Sequence, residues 1–399
     1  MRCRIFLSTA AVVLVSGAVQ AAPEPQAFDF GSGKLIPMLE VIQKRDDNIF
    51  SQANGEESDS ITQVKPVVQF LSRKNASSVA LTYTGDYGKY WAVIWNSPDN
   101  YADHTLSFDA LLSSSDMLSI DFGASLGRLH DNRGEGSSEG LNAAQRKEPD
   151  EYDLNNVNLL LDFGRDTARL GIELEAGRSA IDYSNNRTET RFRDRDETLL
   201  GARLYARGTG KTKFFLGVST EEFEYSTSPL FGSSIDNDQD AWFVGAEWEA
   251  TGKTTGAIKF GSMDKDFSAA ARGDDDVTVW DIDVTFSPRT YSHILFSASN
   301  DARETNGTGA FIEARDLTLS WLHQWSDRCS STVSYGTGDD DYASDTRQDD
   351  RDSFAISVAY DWQRWITIGA GISRSERDSN QNSFDFEKNV IQVSLDMTL

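Results

Sequence analysis

The side chains of this sequence whose types could do chemistry are four histidines, two cysteines and several acidic runs. His130-Asp131 sets a base beside a carboxylate, the orienting half of a hydrolytic constellation. No Ser or second Asp–His pairing stands with it, so a rim hydrolase using His130 is the weakest reading and no catalytic residue is assigned. His323 lies between Trp321 and Trp325 and reads as an interfacial residue; His104 and His293 are isolated. The runs Asp274-Asp275-Asp276 and Asp339-Asp340-Asp341 offer the oxygen ligands calcium prefers, but without the regular spacing and turn glycine of an EF-hand loop. They read as solvated acidic loops that bridge weakly, through divalent ions, to lipopolysaccharide or glycan, and no metal site is assigned. Cys3 falls in a leader and Cys329 stands alone, which leaves no intrachain disulfide and no cysteine-based zinc site. No cofactor is called for.

Chemistry being sparse, the elements that carry these residues decide the reading. The chain has 399 residues, with 63 Asp+Glu against 38 Lys+Arg and a formal charge of -25, so nucleic acid is not a partner. Only 39% of residues are hydrophobic and mean hydropathy is -0.47. Past the N-terminus no apolar stretch of about 18 to 20 residues occurs, which excludes a helical membrane protein. Residues 1–21 read as an export signal: Arg2 and Arg4 before the apolar core Ile5 to Val19, then Val19-Gln20-Ala21 with cleavage expected after Ala21. A membrane anchor is the alternative. Residues 22–34 then form a short periplasmic N-terminal segment and residues 35–399 the barrel argued next.

After residue 30 the apolar period is two, not 3.6. Leu118, Ile120, Phe122, Ala124 and Leu126 alternate with Ser119, Asp121, Gly123 and Ser125; Trp280, Ile282, Val284 and Phe286 and many further runs do the same. Strands are expected near 35–43, 60–72, 77–87, 102–113, 116–129, 154–164, 167–180, 196–207, 211–223, 240–250, 253–263, 276–287, 290–299, 313–325, 328–338, 352–362, 365–374 and 387–399, about 18 in all. Their connections alternate between short turns, such as Arg165-Asp166, Gly208-Thr209-Gly210, Thr251-Gly252 and Pro288-Arg289, and long polar loops. That alternation is what an outer-membrane barrel requires, with short periplasmic turns and longer extracellular loops. The fold class is therefore all-β, a transmembrane antiparallel β-barrel of the bacterial outer membrane. Closure is a physical necessity, since only a closed sheet satisfies every backbone polar group in lipid. Aromatics gather at strand ends, as at Trp321 and Trp325, Trp362 and Trp365, and Tyr83 and Tyr87, in the manner of interfacial girdles. Ile391, Val393, Leu395, Met397 and Leu399 give the last strand the look of one offered to the barrel-assembly machinery, although Leu399 departs from the common terminal aromatic.

The segment Leu35-Ile36-Pro37 through Asp46-Asp47-Asn48-Ile49-Phe50, then Pro66, Tyr83 to Tyr90 and Tyr101-Ala102-Asp103-His104, resembles the start of the putative β-barrel porin 2 family. The motifs cover about the first quarter of the chain. The resemblance implies a barrel of the EpsL type, serving synthesis or export of a surface exopolysaccharide or capsule in a Gram-negative cell. It supplies no catalytic residues.

With the apolar set facing lipid, the alternate set faces the lumen, and a barrel of this size leaves an aqueous channel. Lumen-lining candidates on that register are Lys65, Asp109, Asp121, Asp162, Glu173, Glu175, Arg203, Glu247, Asp281 and Asp283, joined by Asp86, Glu249, Asp361, Asp396, Arg169 and Lys259. The acidic surplus implies cation preference. The long loop from Asp131 to Asp153, with Gly134, Gly136 and Gly140, is the candidate for folding into the pore; a solvated external loop is the alternative. The expected function is a polysaccharide channel. A cation-preferring diffusion porin and a surface-attachment barrel acting through its acidic loops stand as alternatives. Expected partners are outer-membrane lipid and lipopolysaccharide, the assembly machinery, and a polysaccharide or small-solute cargo.

Overall fold

The structure, a computed structural model, describes residues 27–91, 100–140, 146, 148–164, 168–208, 211–228, 234–269, 272 and 274–398. The expected leader, the turn residues Arg165-Asp166 and Thr209-Gly210, and Leu399 lie outside the described residues. Among the described residues there are nineteen strands, two single-turn 3-10 segments and no α-helix. The strands are β1 Phe28–Phe30, β2 Gly33–Asp46, β3 Asp59–Lys74, β4 Ser77–Tyr90, β5 Tyr101–Ser113, β6 Leu118–His130, β7 Glu151–Phe163, β8 Leu170–Tyr183, β9 Arg195–Arg207 and β10 Thr212–Tyr225. They continue with β11 Asn237–Thr251, β12 Thr254–Phe267, β13 Asp275–Arg289, β14 Ser292–Glu304, β15 Phe311–Ser326, β16 Cys329–Tyr342, β17 Gln348–Gln363, β18 Ile366–Ser379 and β19 Phe386–Thr398.

From β2 onward each strand pairs antiparallel with the next, and β19 returns to β2, with Val390 opposite Asp46 and Thr398 opposite Met38. The result is a closed barrel of eighteen strands, β2 to β19. Closure pairs the first strand with the last, so the wall carries no open edge into lipid. The short strand β1 was not expected. It folds back on β2, pairing Phe28 with Leu35 and Phe30 with Gly33, and so covers the part of β2 that lies beyond the end of β19. Phe30 meets Phe70 edge-on there.

The period-two pattern has its physical outcome in two opposite faces. Leu126, Leu204, Phe260, Ile372 and Ile391 are exposed large apolar side chains, while Lys259, Met263, Lys265 and Phe243 are buried. In a water-soluble sheet that arrangement would be inverted; here the apolar side meets hydrocarbon and the polar side the lumen. At the short-turn end, Trp321, His323, Trp325 and Tyr291 form one ring cluster, with His323 4.2 Å from Trp325 between centroids. This is the girdle position expected of His323. Among the turns, Asn75 takes a left-handed φ of 56° in the two-residue connection of β3 to β4, which an Asn side chain tolerates.

All eighteen expected strands are present. Their ends on the long-loop side run further than expected: β2 reaches Asp46, β14 reaches Glu304, β17 starts at Gln348 and β18 reaches Ser379. Above the lipid there is no apolar face to alternate with, so the sequence signal stops while the hydrogen-bonded ladder continues.

Candidate functional site

The barrel encloses a cavity of about 2190 Å³, bounded by strands from the whole circumference and by the loop between β6 and β7. That loop does fold inward. Asp131, Arg133, Gly134, Glu135, Gly136 and Glu139 all border the cavity.

Three sets of contacts hold it. At its base, Asp131 accepts from Arg193 at 2.7 Å, and Asp150 accepts from the Ser137 hydroxyl at 2.8 Å and from Asn186 at 2.7 Å. Near its first turn, Gly134 takes a φ of 80°, and a Cβ there would lie 2.6 Å from the Phe50 carbonyl oxygen, so only glycine brings the loop against the β2–β3 connection. At its far end Glu139 reaches the other side of the barrel. It accepts from Arg347 at 2.9 Å, from Arg377 at 3.0 Å and from Asn306 at 3.3 Å. Arg347 is fully buried, donates also to Asp349 at 2.5 Å and stacks on Phe384 and Tyr342. A carboxylate from one side of the mouth thus completes a buried charge cluster on the other.

Of the lumen candidates, Lys65, Asp162, Glu173, Arg203, Glu247, Asp281 and Asp283 border the cavity, together with Asp86, Glu249 and Lys259. Asp109, Asp121 and Glu175 hold inward-alternating positions but are not part of its wall; Leu160 stands between Asp121 and Glu175 in the register and borders the cavity instead. Arg169, Asp361 and Asp396 also lie off the cavity wall, and Asp361 accepts a hydrogen bond from Thr367.

The charges on the β8–β11 side are paired. Arg203 donates to Glu173 at 2.5 Å and to Glu247 at 2.6 Å, and Lys213 lies 2.9 Å from Glu173 and 3.3 Å from Glu247. Asp162 accepts from the Tyr205 hydroxyl at 2.9 Å. The facing wall is plain: Ser334, Gly336, Ser353, Ala355, Ser357, Gly371 and Ser373 of β16 to β18 line it with small side chains.

Sequence reasoning missed most of the lumen's bases, placing only Lys65, Arg203 and Lys259 on the cavity wall. Lys44, Lys213, Arg303, Arg351, Arg377 and Lys388 all border the cavity, and they reduce the expected acidic surplus. Lys44, Arg303, Arg351 and Arg377 fall in the strand extensions that were expected to be loop. Lys213 could have been found by alternation against Phe214, Leu216 and Val218.

His130 is not paired with its sequence neighbour. Its Nδ1 lies 2.9 Å from both carboxylate oxygens of Asp103, and its ring lies against Tyr101 at 3.8 Å between centroids. Tyr101 donates to Asp86 at 3.3 Å, and Asp86 lies 3.4 Å from Lys65. Gly88 stands opposite Tyr101, and a Cβ at that position would run into the ring, so glycine lets the tyrosine lie flat across β4. Asp131 being committed to Arg193, the His130-Asp131 pair of the hydrolase reading does not form. In the loop itself, Glu135 is exposed to the lumen, yet desolvation by the surrounding protein pushes its carboxyl above the ordinary glutamate value, Asp131 adds to the shift, and Asn132 and Lys388 act against it.

The profile of the family described as putative beta-barrel porin 2 matches residues 22–399. The chain belongs to that family. As a family member it is an outer-membrane β-barrel, and the resemblance carried by its first quarter extends along the strands that build the channel. No curated protein matches it. Among solved structures it is similar to a BenF-like porin from Pseudomonas fluorescens Pf-5, with 11% identity and a TM-score of 0.52 over 92% of this chain and 99% of that one. It is also similar to Pseudomonas aeruginosa OpdK with vanillate, with 12% identity and a TM-score of 0.49 over 91% and 98%. At such identities the likeness is one of fold. Neither comparison singles out the EpsL-type proteins of exopolysaccharide synthesis.

Proposed function

We propose that this family member is a passive channel for small hydrophilic solutes with a weak preference for cations. The observation that carries this reading is the β6–β7 loop crossing the mouth and fastened to the far wall through Glu139. A fixed loop inside a wet bore leaves room for small solutes and obstructs a continuous polymer, so the diffusion reading is favoured over polysaccharide export. The cation preference rests on carboxylates with no full counter-charge, such as Asp283 and Glu135, and is weaker than the sequence register implied because of the additional bases. Swelling of proteoliposomes in a size series of neutral sugars tests the reading. Rates should fall steeply between monosaccharides and trisaccharides. Equal rates for all sizes would show a bore the loop does not narrow.

A further inference from the structure

We propose that the narrowing selects small amphoteric solutes, molecules with one ammonium and one carboxylate group, by seating them between Glu135 on the loop and the lysines Lys44 and Lys388 on the β2–β19 wall. The inference rests on the channel reading and names its substrate class.

The argument is one of local charge balance. Two charged clusters of the lumen close: Arg203 and Lys213 against Glu173 and Glu247, and Arg303 and Arg351 against Asp316 and Asp340. At the mouth end of β2 and β19, away from Glu40 and its partner Asp396, the balance fails. Lys388 lies 3.7 Å from Asp46, whose other oxygen already accepts from the Asn48 amide at 2.9 Å. Lys44 stands two residues before Asp46 on the same face, opposite Gln392, and makes no ion pair with a described residue. Lys65 is already taken by Asp86. One carboxylate therefore serves two ammonium groups.

The loop side fails in the opposite sense. Asp131 is neutralised by Arg193, whereas Glu135 has only a 3.3 Å hydrogen bond from Asn132 and no ion pair with a described residue. Both sides border the same cavity, and Lys388 is near enough for its charge to act on Glu135. The contact of Gly134 with the Phe50 carbonyl and the Glu139 anchor fix where the carboxylate stands. The mouth end of that wall, with Lys44 unpaired, thus borders the same cavity as a loop whose Glu135 is unpaired. Across low-dielectric walls that field orients a dipolar solute; a simple anion gains Lys44 but meets Glu135, a simple cation meets the reverse, and a neutral polyol feels neither.

The test is proteoliposome swelling in L-glutamine, a zwitterion, and in ribose, a neutral polyol of closely similar mass. The wild-type protein should admit glutamine faster than ribose. Lys44→Gln and Glu135→Gln should each slow glutamine about two- to fivefold, the worth of one partly screened ion pair, and leave ribose unchanged. Lys44→Arg should restore the glutamine rate. Equal wild-type rates for the two solutes, or variants that shift both solutes together, would overturn the inference while leaving the channel reading standing. Vesicles that swell in neither solute would refute the channel reading and this inference with it.

Discussion

Replacing Glu139 by Gln should release the loop. The substitution keeps the shape and the contact with Asn306 but removes the charge that Arg347 and Arg377 both address. Breaking a buried ion pair costs about 3–5 kcal/mol, and the lower end applies because Arg347 retains Asp349 and Arg377 retains the Phe384 carbonyl oxygen. At about 1.4 kcal/mol per tenfold, a loss of about 3 kcal/mol raises the ratio of undocked to docked loop by roughly a hundredfold. Two assays read this. Single-channel records of Glu139→Gln should show frequent excursions to a larger conductance that are rare in the wild type. Trypsin added to the extracellular side should cut at Arg133 or Arg146 far faster in the variant, since both now contact the docked loop or its surroundings. Unchanged conductance together with unchanged proteolysis would refute the idea that the charge cluster holds the loop.

Further outcomes follow from the same geometry. Arg203→Gln leaves Glu173 and Glu247 with Lys213 alone, so the cation-to-anion permeability ratio from reversal potentials should rise roughly twofold. Because desolvation by the surrounding protein raises the Glu135 carboxyl, it takes up its proton above the pH at which an ordinary glutamate does. Cation preference should weaken as pH falls through that raised value, and the docked loop, which binds the proton more readily than the undocked one, should gain stability over the same window. A pH series of reversal potentials, with Glu135→Gln flat across it, is the check. Gly88→Ala forces the Tyr101 ring off its seat, at a cost of about 1–3 kcal/mol for overpacking, and thermal unfolding in detergent should show a lowered midpoint.

The wall of the barrel was legible because lipid enforces a strict rule. Residues such as Leu118 to Leu126 and Trp280 to Phe286 must alternate over the full hydrocarbon depth, and each expected strand there is found. The rule lapses at the extracellular ends, and with it went Lys44, Arg303, Arg351 and Arg377, bases that the chain keeps on strands beyond the membrane. The inward fold of the β6–β7 loop was suggested by its length and its three glycines. Its anchorage was not, because Glu139 meets partners more than two hundred positions away, brought to it only by barrel closure. The partnership of His130 with Asp103 was hidden in the same way: the adjacent Asp131 is the obvious sequence partner, but strand pairing carries β5 to β6 and loop packing gives Asp131 to Arg193.

The most direct test of the central claim is the single-channel conductance of the refolded protein in a planar bilayer, measured with its reversal potential under a potassium chloride gradient. A stable, small conductance with modest cation preference is the predicted result. A silent bilayer, a conductance as large as that of an unobstructed eighteen-stranded bore, or clear anion preference would contradict a narrow, mildly cation-preferring channel.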